Sequence, residues 1–207
     1  AMDAETRLSR ADFYHMLDRT LAVPGAVPFS TLPWTSQLHL ALMVHRVDDI
    51  APGLYLLVRD PAQMAALQQA LTQADSWRKP PGCPHPVPLY GLVERDTRAA
   101  ARKISCPQYI ASDGCFILAM LAEFSDPLQR YGPWFYPRLY WEAGMIGQLL
   151  YLEAEAAGNR STGIGCFYDD PMHEVLGLTD LRFQDIYHFT VGGAVEDVRL
   201  STSPAYE

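Results

Sequence analysis

Two hydrophobic periods alternate along the chain, and they predict alternating helices and strands. Apolar residues three and four positions apart, with capping and stop residues at their ends, predict helices at 9–22, after Asp60-Pro61, in part of 96–112, over 137–157 and from Pro171. Alternating or continuous apolar runs predict strands at 38–47, from the turn at Pro52-Gly53 to 58, at 115–124, at 162–167 and at 185–191. The first two strands read as a hairpin over 38–58, and the proline-rich stretch 76–90 reads as a loop. This order predicts one α+β domain over residues 1–207, with helices covering a mixed sheet.

The predicted helix over 137–157 is apolar on nearly every side. One face carries apolar residues at helical spacing from Leu139 to Ala157, and Trp141 and Met145 lie among those that fill much of the remainder. A helix of this kind lies in the centre of a core or packs in an oligomer interface. The small residues Ala143 and Gly144, with Gly147, would let a second helix approach closely.

Composition and charge narrow the class of protein. The chain has 207 residues, of which 49% are hydrophobic and 19% charged, as in a globular protein. Its formal net charge of −8 argues against nucleic acid as the main partner, because a phosphate backbone needs a basic face. We find no signal peptide and no apolar run long enough to span a bilayer, so no membrane association is expected.

The four cysteines are Cys83, Cys106, Cys115 and Cys166, and no two of them form a CxxC pair. This pattern predicts a reduced, cytoplasmic protein with unpaired thiols. No set of His, Cys and carboxylate residues has metal-ligand spacing, so no metal site is expected.

The strand "TGIGCF" at 162–167 is unusual because it contains two glycines, Gly163 and Gly165. Glycine weakens a strand and often marks a place where something approaches the backbone closely. The stretch is neither a dinucleotide fingerprint, since Tyr168 occupies the position of the third glycine, nor a P-loop, since Gly-Lys-Ser/Thr is missing. Two interpretations stay open: tight packing or a bulge without a ligand, or a flat aromatic ligand that accepts hydrogen bonds from backbone N–H groups.

Longer segments resemble a known family. The stretches "EAGMIGQLLYLEAEAAG", "STGIGCFYDD" and "HEVLGL" resemble the C-terminal half of the nitroreductase-like flavoproteins, in particular the SagB-type branch. The hairpin segment "LHLALMVHRVDDIAPGLYLLVRDP" is similar to the corresponding segment of that branch. The resemblance spans about residues 9–193.

The resemblance implies a nitroreductase-like fold and an FMN-binding homodimer, with the long helix packed against its mate and the flavin at the subunit interface. The flavin ring would then lie on the segment Gly163, Ile164, Gly165 and Cys166. Backbone N–H groups of Gly165 and Cys166 are the expected donors to N5 and O4, where negative charge develops on hydride uptake. At Cys166 we expect the backbone N–H to bind the flavin and the sulfur atom to take no part.

Further site residues follow from the same resemblance, each beside a structural alternative. Ser36 and Gln37 would face the flavin or begin a strand, and Gln108 would contact the site or cap a helix. Arg199 would be a C-terminal cation for the cofactor or an ordinary exposed arginine. Tyr136 would act as a weak acid near the flavin or be a core or interface tyrosine.

The chain departs from the family pattern at two places. An Arg-Arg-Ser segment usually holds the FMN phosphate, but residues 1–8 contain only Arg7. The SagB-type dehydrogenases also use a Lys-Tyr pair before the long helix, and the matching segment "RYGPWFYPRLYWEAG" has no lysine. Azoline oxidation is therefore not expected.

Two functional hypotheses remain. The first is an FMN-dependent oxidoreductase that transfers hydride through flavin N5, with NADH, NADPH or a small organic or peptide substrate as reactant. The second is a non-catalytic member, with or without flavin, that acts as a partner subunit. In a variant of either hypothesis, this chain is one module of a longer polypeptide, and a neighbouring module supplies the residues that bind the FMN phosphate.

Overall fold

The computed structural model describes residues 1–201, 203–204 and 206. Its centre is a six-stranded sheet in the order β3-β2-β1-β4-β6-β5. The strands are β1 (Leu38–Val44), β2 (Gly53–Leu57), β3 (Leu89–Glu94), β4 (Phe116–Glu123), β5 (Arg160–Ile164) and β6 (Phe183–Gly192). The 38–58 hairpin is confirmed, whereas β3 begins inside the stretch predicted as a loop.

Every neighbouring pair of strands is antiparallel, so the prediction of a mixed sheet is wrong. The reason lies in the crossover from β4 to β5. These two strands run in the same direction, but β6 inserts between them and pairs antiparallel with both. A helical crossover therefore does not produce a parallel pair here.

Helices cover both faces of the sheet. They are α1 (Arg10–Arg19), α2 (Met64–Ala70), α3 (Arg98–Ile104), α4 (Tyr109–Asp113), α5 (Ser125–Tyr131), α6 (Tyr136–Ala156) and α7 (Asp169–Leu176). The Ser9 side chain caps α1 as predicted, by accepting a hydrogen bond from the Asp12 N–H. The cap of α7 is Tyr168 and not an aspartate, and α5 was not predicted because its Ser-Asp-Pro start resembles a stop signal.

The core has two layers, one on each face. Leucines and aromatic residues of α1 and α6 pack on one face, where the Phe13 and Phe116 rings meet edge to face at 5.4 Å between centroids. Side chains of α2, α3, α4 and α7 pack on the other face. Strands β1 and β4 are buried along their whole length, which explains their continuous apolar sequences.

The edge of the sheet opens where β5 ends. Strand β5 pairs with β6 only from Arg160, opposite Gly192, to Ile164, opposite His188. Residues 183–187 of β6 therefore have a partner strand on the β4 side alone. The chain leaves the sheet at Gly165, which creates a gap between the departing segment, α6 and the free edge of β6.

Candidate functional site

A cavity of about 480 Å³ occupies this gap. Tyr136 and Tyr140 of α6 form one wall, Gly165 and Phe167 form another, and the free edge of β6 closes the cavity near Tyr187. Tyr136 and Gly165, which sequence reasoning assigned to one site, therefore line the same cavity. Whether Tyr136 acts as an acid stays a prediction.

The strand predicted over 162–167 ends at Ile164, so only Gly163 lies within β5 and Gly165 lies just beyond its end. A β-carbon at Gly163 would collide with the Tyr187 ring, and the Gly163 N–H donates to Tyr151 Oη at 3.0 Å. A β-carbon at Gly165 would meet only Tyr187, at an ordinary 3.9 Å. Protein packing accounts for the glycine at 163 but leaves space beside 165.

The backbone at the end of β5 offers hydrogen-bond donors. Gly165 and Cys166 are exposed, and within the described residues their N–H groups have no acceptor. Neighbouring Ile164 is buried among the side chains of the α7 face. Two consecutive free N–H groups beside a cavity match what a planar ligand with acceptors along one edge requires.

Cys166 is bonded to Cys106, so the prediction of unpaired thiols is wrong for these two residues. Their Cα atoms lie 5.8 Å apart although 60 positions separate them in sequence. Sequence reasoning missed the pair because only the fold brings the end of β5 beside the α3–α4 connection. Cys83 and Cys115 are free, as expected.

Two hydrogen bonds fasten the same segment beside the disulfide. The Gln108 side-chain amide donates to the Cys166 carbonyl at 3.1 Å, and the Tyr168 N–H donates to the Ile104 carbonyl at 2.7 Å. Gln108 thus contacts the predicted cofactor segment, through the backbone of Cys166.

Tyr136 and Tyr140 on α6 form a hydrogen-bonded pair. Their hydroxyl oxygens lie 2.9 Å apart, and Phe124 packs edge to face on the Tyr136 ring. Burial raises the pKa of Tyr140 well above its usual value, and the hydrogen bond with Tyr136 adds to the effect. Tyr140 is therefore a protonated hydroxyl at neutral pH.

Ser36 and Gln37 do not line this cavity; their polar groups serve a buried ion pair. The Ser36 hydroxyl donates to Glu142 Oε1 at 2.5 Å, and the Gln37 N–H donates to Glu142 Oε2 at 2.9 Å. Arg59 makes an ion pair with the same carboxylate, and both side chains are fully buried. Ser36, Arg59 and Glu142 border a second cavity of about 530 Å³.

The candidate cations lie elsewhere. Arg199 forms an exposed ion pair with Asp197 at 2.6 Å, and Arg7 pairs with Asp48 at 2.5 Å. The lining of the cavity beside Gly165 contains the carboxylates of Asp169 and Asp185 but no lysine or arginine. The described lining residues therefore offer no partner for a phosphate group.

A buried polar chain behind the cavity was not anticipated from the sequence. His188 Nε2 lies 2.6 Å from Asp185 Oδ2, and Ser105 Oγ lies 3.2 Å from His188 Nδ1. The Phe167 ring stacks on the His188 imidazole at 4.4 Å between centroids. Burial raises the pKa of Asp185, against the opposing effect of His188. Ser105 is fully buried, so this arrangement offers no accessible nucleophile.

Strand alternation alone places positions 185 and 188 on opposite faces, so the sequence does not predict this row of polar side chains. Asp185 and His188 meet because a bulge in the β4–β6 pairing, between Met120 and Leu121, turns them to the same face.

Among the described residues, no group of three or more His, Cys, Asp or Glu side chains is arranged to hold a metal ion. Of the helices described, none combines the length and the apolar sequence that a membrane span requires.

Comparison with known proteins identifies the family. The model of the nitroreductase family matches residues 49–193, well over half of the chain. The chain belongs to the nitroreductase family. No curated protein matches the sequence.

Solved structures share the fold at low sequence identity. A nitroreductase-like protein from Anabaena variabilis superposes with a TM-score of 0.71 at 19% identity, over 93% of this chain and 35% of that one. The Escherichia coli microcin synthetase McbBCD complex with truncated pro-MccB17 bound gives 0.65 at 16% identity, over 94% and 67%. A nitroreductase-like protein from Ralstonia eutropha gives 0.59 at 16%, over 95% and 78%. The chain thus spans about a third of the length of the Anabaena protein.

Proposed function

We propose that this protein is an FMN-dependent oxidoreductase of the nitroreductase family, in its SagB-type branch. The observation that carries the proposal is the pair of free N–H groups at Gly165 and Cys166 beside a cavity that packing leaves open. Members of this family typically bind FMN. When bound, FMN supplies hydride transfer at its N5 atom.

The residues of this chain would bind and orient the cofactor. The Gly165 and Cys166 N–H groups would donate to the ring edge, where negative charge develops during hydride uptake. Fixed backbone donors are effective there because they need no reorganisation during the reaction. The Tyr136–Tyr140 pair, with its hydroxyls 2.9 Å apart, would supply a proton donor on the opposite wall.

The substrates follow from this chemistry. We assign the hydride donor to NADH or NADPH and the acceptor to a small organic molecule or a peptide. The similarity to the microcin synthetase complex, which has truncated pro-MccB17 bound, supports the peptide class. We also propose a cytoplasmic location, which the free thiols of Cys83 and Cys115 support.

The exposed face of α6 supports a homodimer with the flavin at its interface. Trp141 and Leu152 on this helix, and Trp134 in the turn just before it, are each more than half exposed. A β-carbon at Gly144 would have no neighbour within 4 Å, so a second helix has room there. Exposed apolar surface of this kind marks interaction sites in soluble proteins.

Titration of the purified protein with FMN, followed by flavin fluorescence and gel filtration, tests the proposal. We expect one FMN per chain. Replacing Gly165 by Pro removes one donor and should weaken binding about tenfold, whereas Gly165→Ala keeps the N–H and should bind within about twofold. Wild-type protein that binds no FMN would refute the oxidoreductase assignment.

A second candidate function is a flavin-free or non-catalytic partner subunit, or one module of a longer chain. The cavity lining, which has two carboxylates and no cation, favours it because FMN carries a phosphate. Comparison of FMN with riboflavin, which lacks the phosphate, separates the cases. Equal affinities indicate a ring site whose phosphate clamp lies outside this cavity, and failure to bind either compound supports the non-catalytic subunit.

A further inference from the structure

The Cys106–Cys166 disulfide joins the proposed cofactor segment to the rest of the protein, and the proposed chemistry gives it no part. Cys166 is exposed and Cys106 half-buried, so a thiol in solution has access to the pair. Of the two free cysteines, Cys83 is half-buried and Cys115 is buried, and burial raises the pKa of both thiols, that of Cys115 to about 11. A thiol in solution exchanges with a disulfide and not with another thiol, so among the described cysteines it reacts at the Cys106–Cys166 pair.

The segment on which the disulfide acts has few other restraints. Strand pairing ends at Ile164, and α7 begins at Asp169. Apart from the disulfide, two hydrogen bonds link residues 165–168 to the α3–α4 region among the described residues. They join Gln108 to Cys166 and Tyr168 to Ile104. On the other side, Cys106 has a φ of +50°, a left-handed conformation that a residue other than glycine adopts only when its surroundings hold it. Opening the crosslink would release both chain segments.

We propose that Cys106–Cys166 is a redox-reversible modification site that sets the affinity of the adjacent flavin site, an inference that rests on the proposed function. In the oxidised protein the disulfide holds the Gly165 and Cys166 donors in place. In the reduced protein the segment has more freedom, and FMN must order it on binding, which weakens affinity. In the proposed cytoplasmic location thiols are kept reduced, so a disulfide there is expected to be transient.

The reaction needs a low-molecular-weight thiol as reductant. The thiolate attacks one sulfur of the pair, so the Cys106–Cys166 bond breaks, a mixed disulfide forms and the other cysteine leaves as a thiolate that takes up a proton. A second thiolate then attacks the mixed disulfide and releases the second cysteine. In sum, two small thiols are oxidised to one small disulfide, and the protein gains two electrons and two protons.

Thermodynamic linkage makes the proposal quantitative. If the oxidised protein binds FMN about tenfold more tightly, saturating FMN must also favour the disulfide over the dithiol about tenfold. For a two-electron couple this corresponds to a shift of about 30 mV in the midpoint reduction potential of the disulfide.

The first experiment equilibrates the protein with graded ratios of reduced to oxidised glutathione, traps thiols with an alkylating agent and maps them by mass spectrometry. We expect Cys106 and Cys166 to become alkylated together in one reversible transition, which shifts in the presence of FMN. The variant Cys83→Ser should show the same transition. Trapping both residues as free thiols even at the most oxidising ratio would overturn the proposal.

The second experiment measures FMN affinity for the oxidised protein, the reduced protein and the variant Cys106→Ser/Cys166→Ser. The reduced protein and the double variant should bind FMN equally, with an affinity about tenfold below that of the oxidised protein. Equal affinities of all three forms would refute the coupling. Circular dichroism checks that the variant folds, and reduced wild-type protein provides the same comparison without mutation.

Hydrogen exchange of the amides at 163–168 separates failure of this inference from failure of the proposed function. Faster exchange on reduction, without any flavin present, is expected if the disulfide orders the segment. A protein that never binds FMN but shows this change would refute the flavin assignment while keeping the redox control of the segment. Unchanged exchange on reduction would refute the redox control.

Discussion

At the scale of single residues, one residue type serves two purposes within three positions. Gly163 is required by the neighbouring strand, because the Tyr187 ring occupies the space that its side chain would need. Gly165 has open space beside it and a free N–H. Only the second of these environments resembles a ligand site.

Alanine substitution separates the two purposes. Gly163→Ala forces the Tyr187 ring to move and should lower the free energy of unfolding by about 1–3 kcal/mol. Gly165→Ala, the matched control, should change it by less than about 1 kcal/mol, because its β-carbon finds an ordinary contact at 3.9 Å. Urea unfolding measures both. Equal losses would show that the two glycines have the same structural role.

At the scale of elements, a buried ion pair joins α6 to the strands. Arg59 follows β2, Glu142 lies within α6, and Ser36 precedes β1. Burial lowers the pKa of the Arg59 guanidinium, and the Glu142 carboxylate opposes this effect. Two charges without solvent exposure are tolerated only while they remain paired and hydrogen-bonded.

Removing one partner of this pair should therefore be costly. Glu142→Gln leaves the Arg59 charge buried without a counterion and should lower the free energy of unfolding by about 3–5 kcal/mol. The control is Asp96→Asn, which breaks an ion pair with Arg98 in which both side chains are more than half exposed, and it should cost less than about 1 kcal/mol. Chemical denaturation compares the two variants. Similarly small losses of unfolding free energy in both variants would mean that Arg59 pairs with another group or becomes exposed to solvent.

At the scale of the whole molecule, the exposed aromatic face of α6 is the feature that the single chain leaves unexplained. The helix has 21 residues, and its buried side covers one face of the sheet. Its outer side presents Trp141, and Trp134 lies in the turn just before the helix; both are more than half exposed, near the tyrosines that line the cavity. A dimer formed through this face would bring the second subunit next to the proposed flavin site.

A charge placed on this face should prevent the proposed dimer. Trp141→Glu is expected to shift the protein from dimer to monomer in gel filtration with light scattering, because a buried unpaired carboxylate opposes association. Leu181→Glu introduces the same charge at a residue that is 69% exposed in the turn before β6, outside α6, and it should leave the dimer intact. A wild-type protein that is monomeric at all accessible concentrations would contradict the interface.

The sequence determined the features that depend on neighbouring positions. The hydrophobic period reports which side of a segment is buried, so it located α1, α6, β1 and β4 to within a few residues. The α6 pattern and the glycine strand also carried the resemblance to the nitroreductase family, which the family match confirms. The sequence did not predict β3, which begins inside a proline-rich stretch, or α5, whose Ser-Asp-Pro start resembles a stop signal.

Only the tertiary structure decided the contacts between distant positions. Insertion of β6 between β4 and β5 made the sheet antiparallel throughout, and the fold brought Cys106 to Cys166 across 60 positions. It likewise joined Ser36 to Glu142, which are 106 positions apart, and so placed Ser36 in an ion-pair network outside the cavity beside Gly165. Local periodicity carries no information about such pairs, because the order in which strands pair is set by the packing of the whole chain.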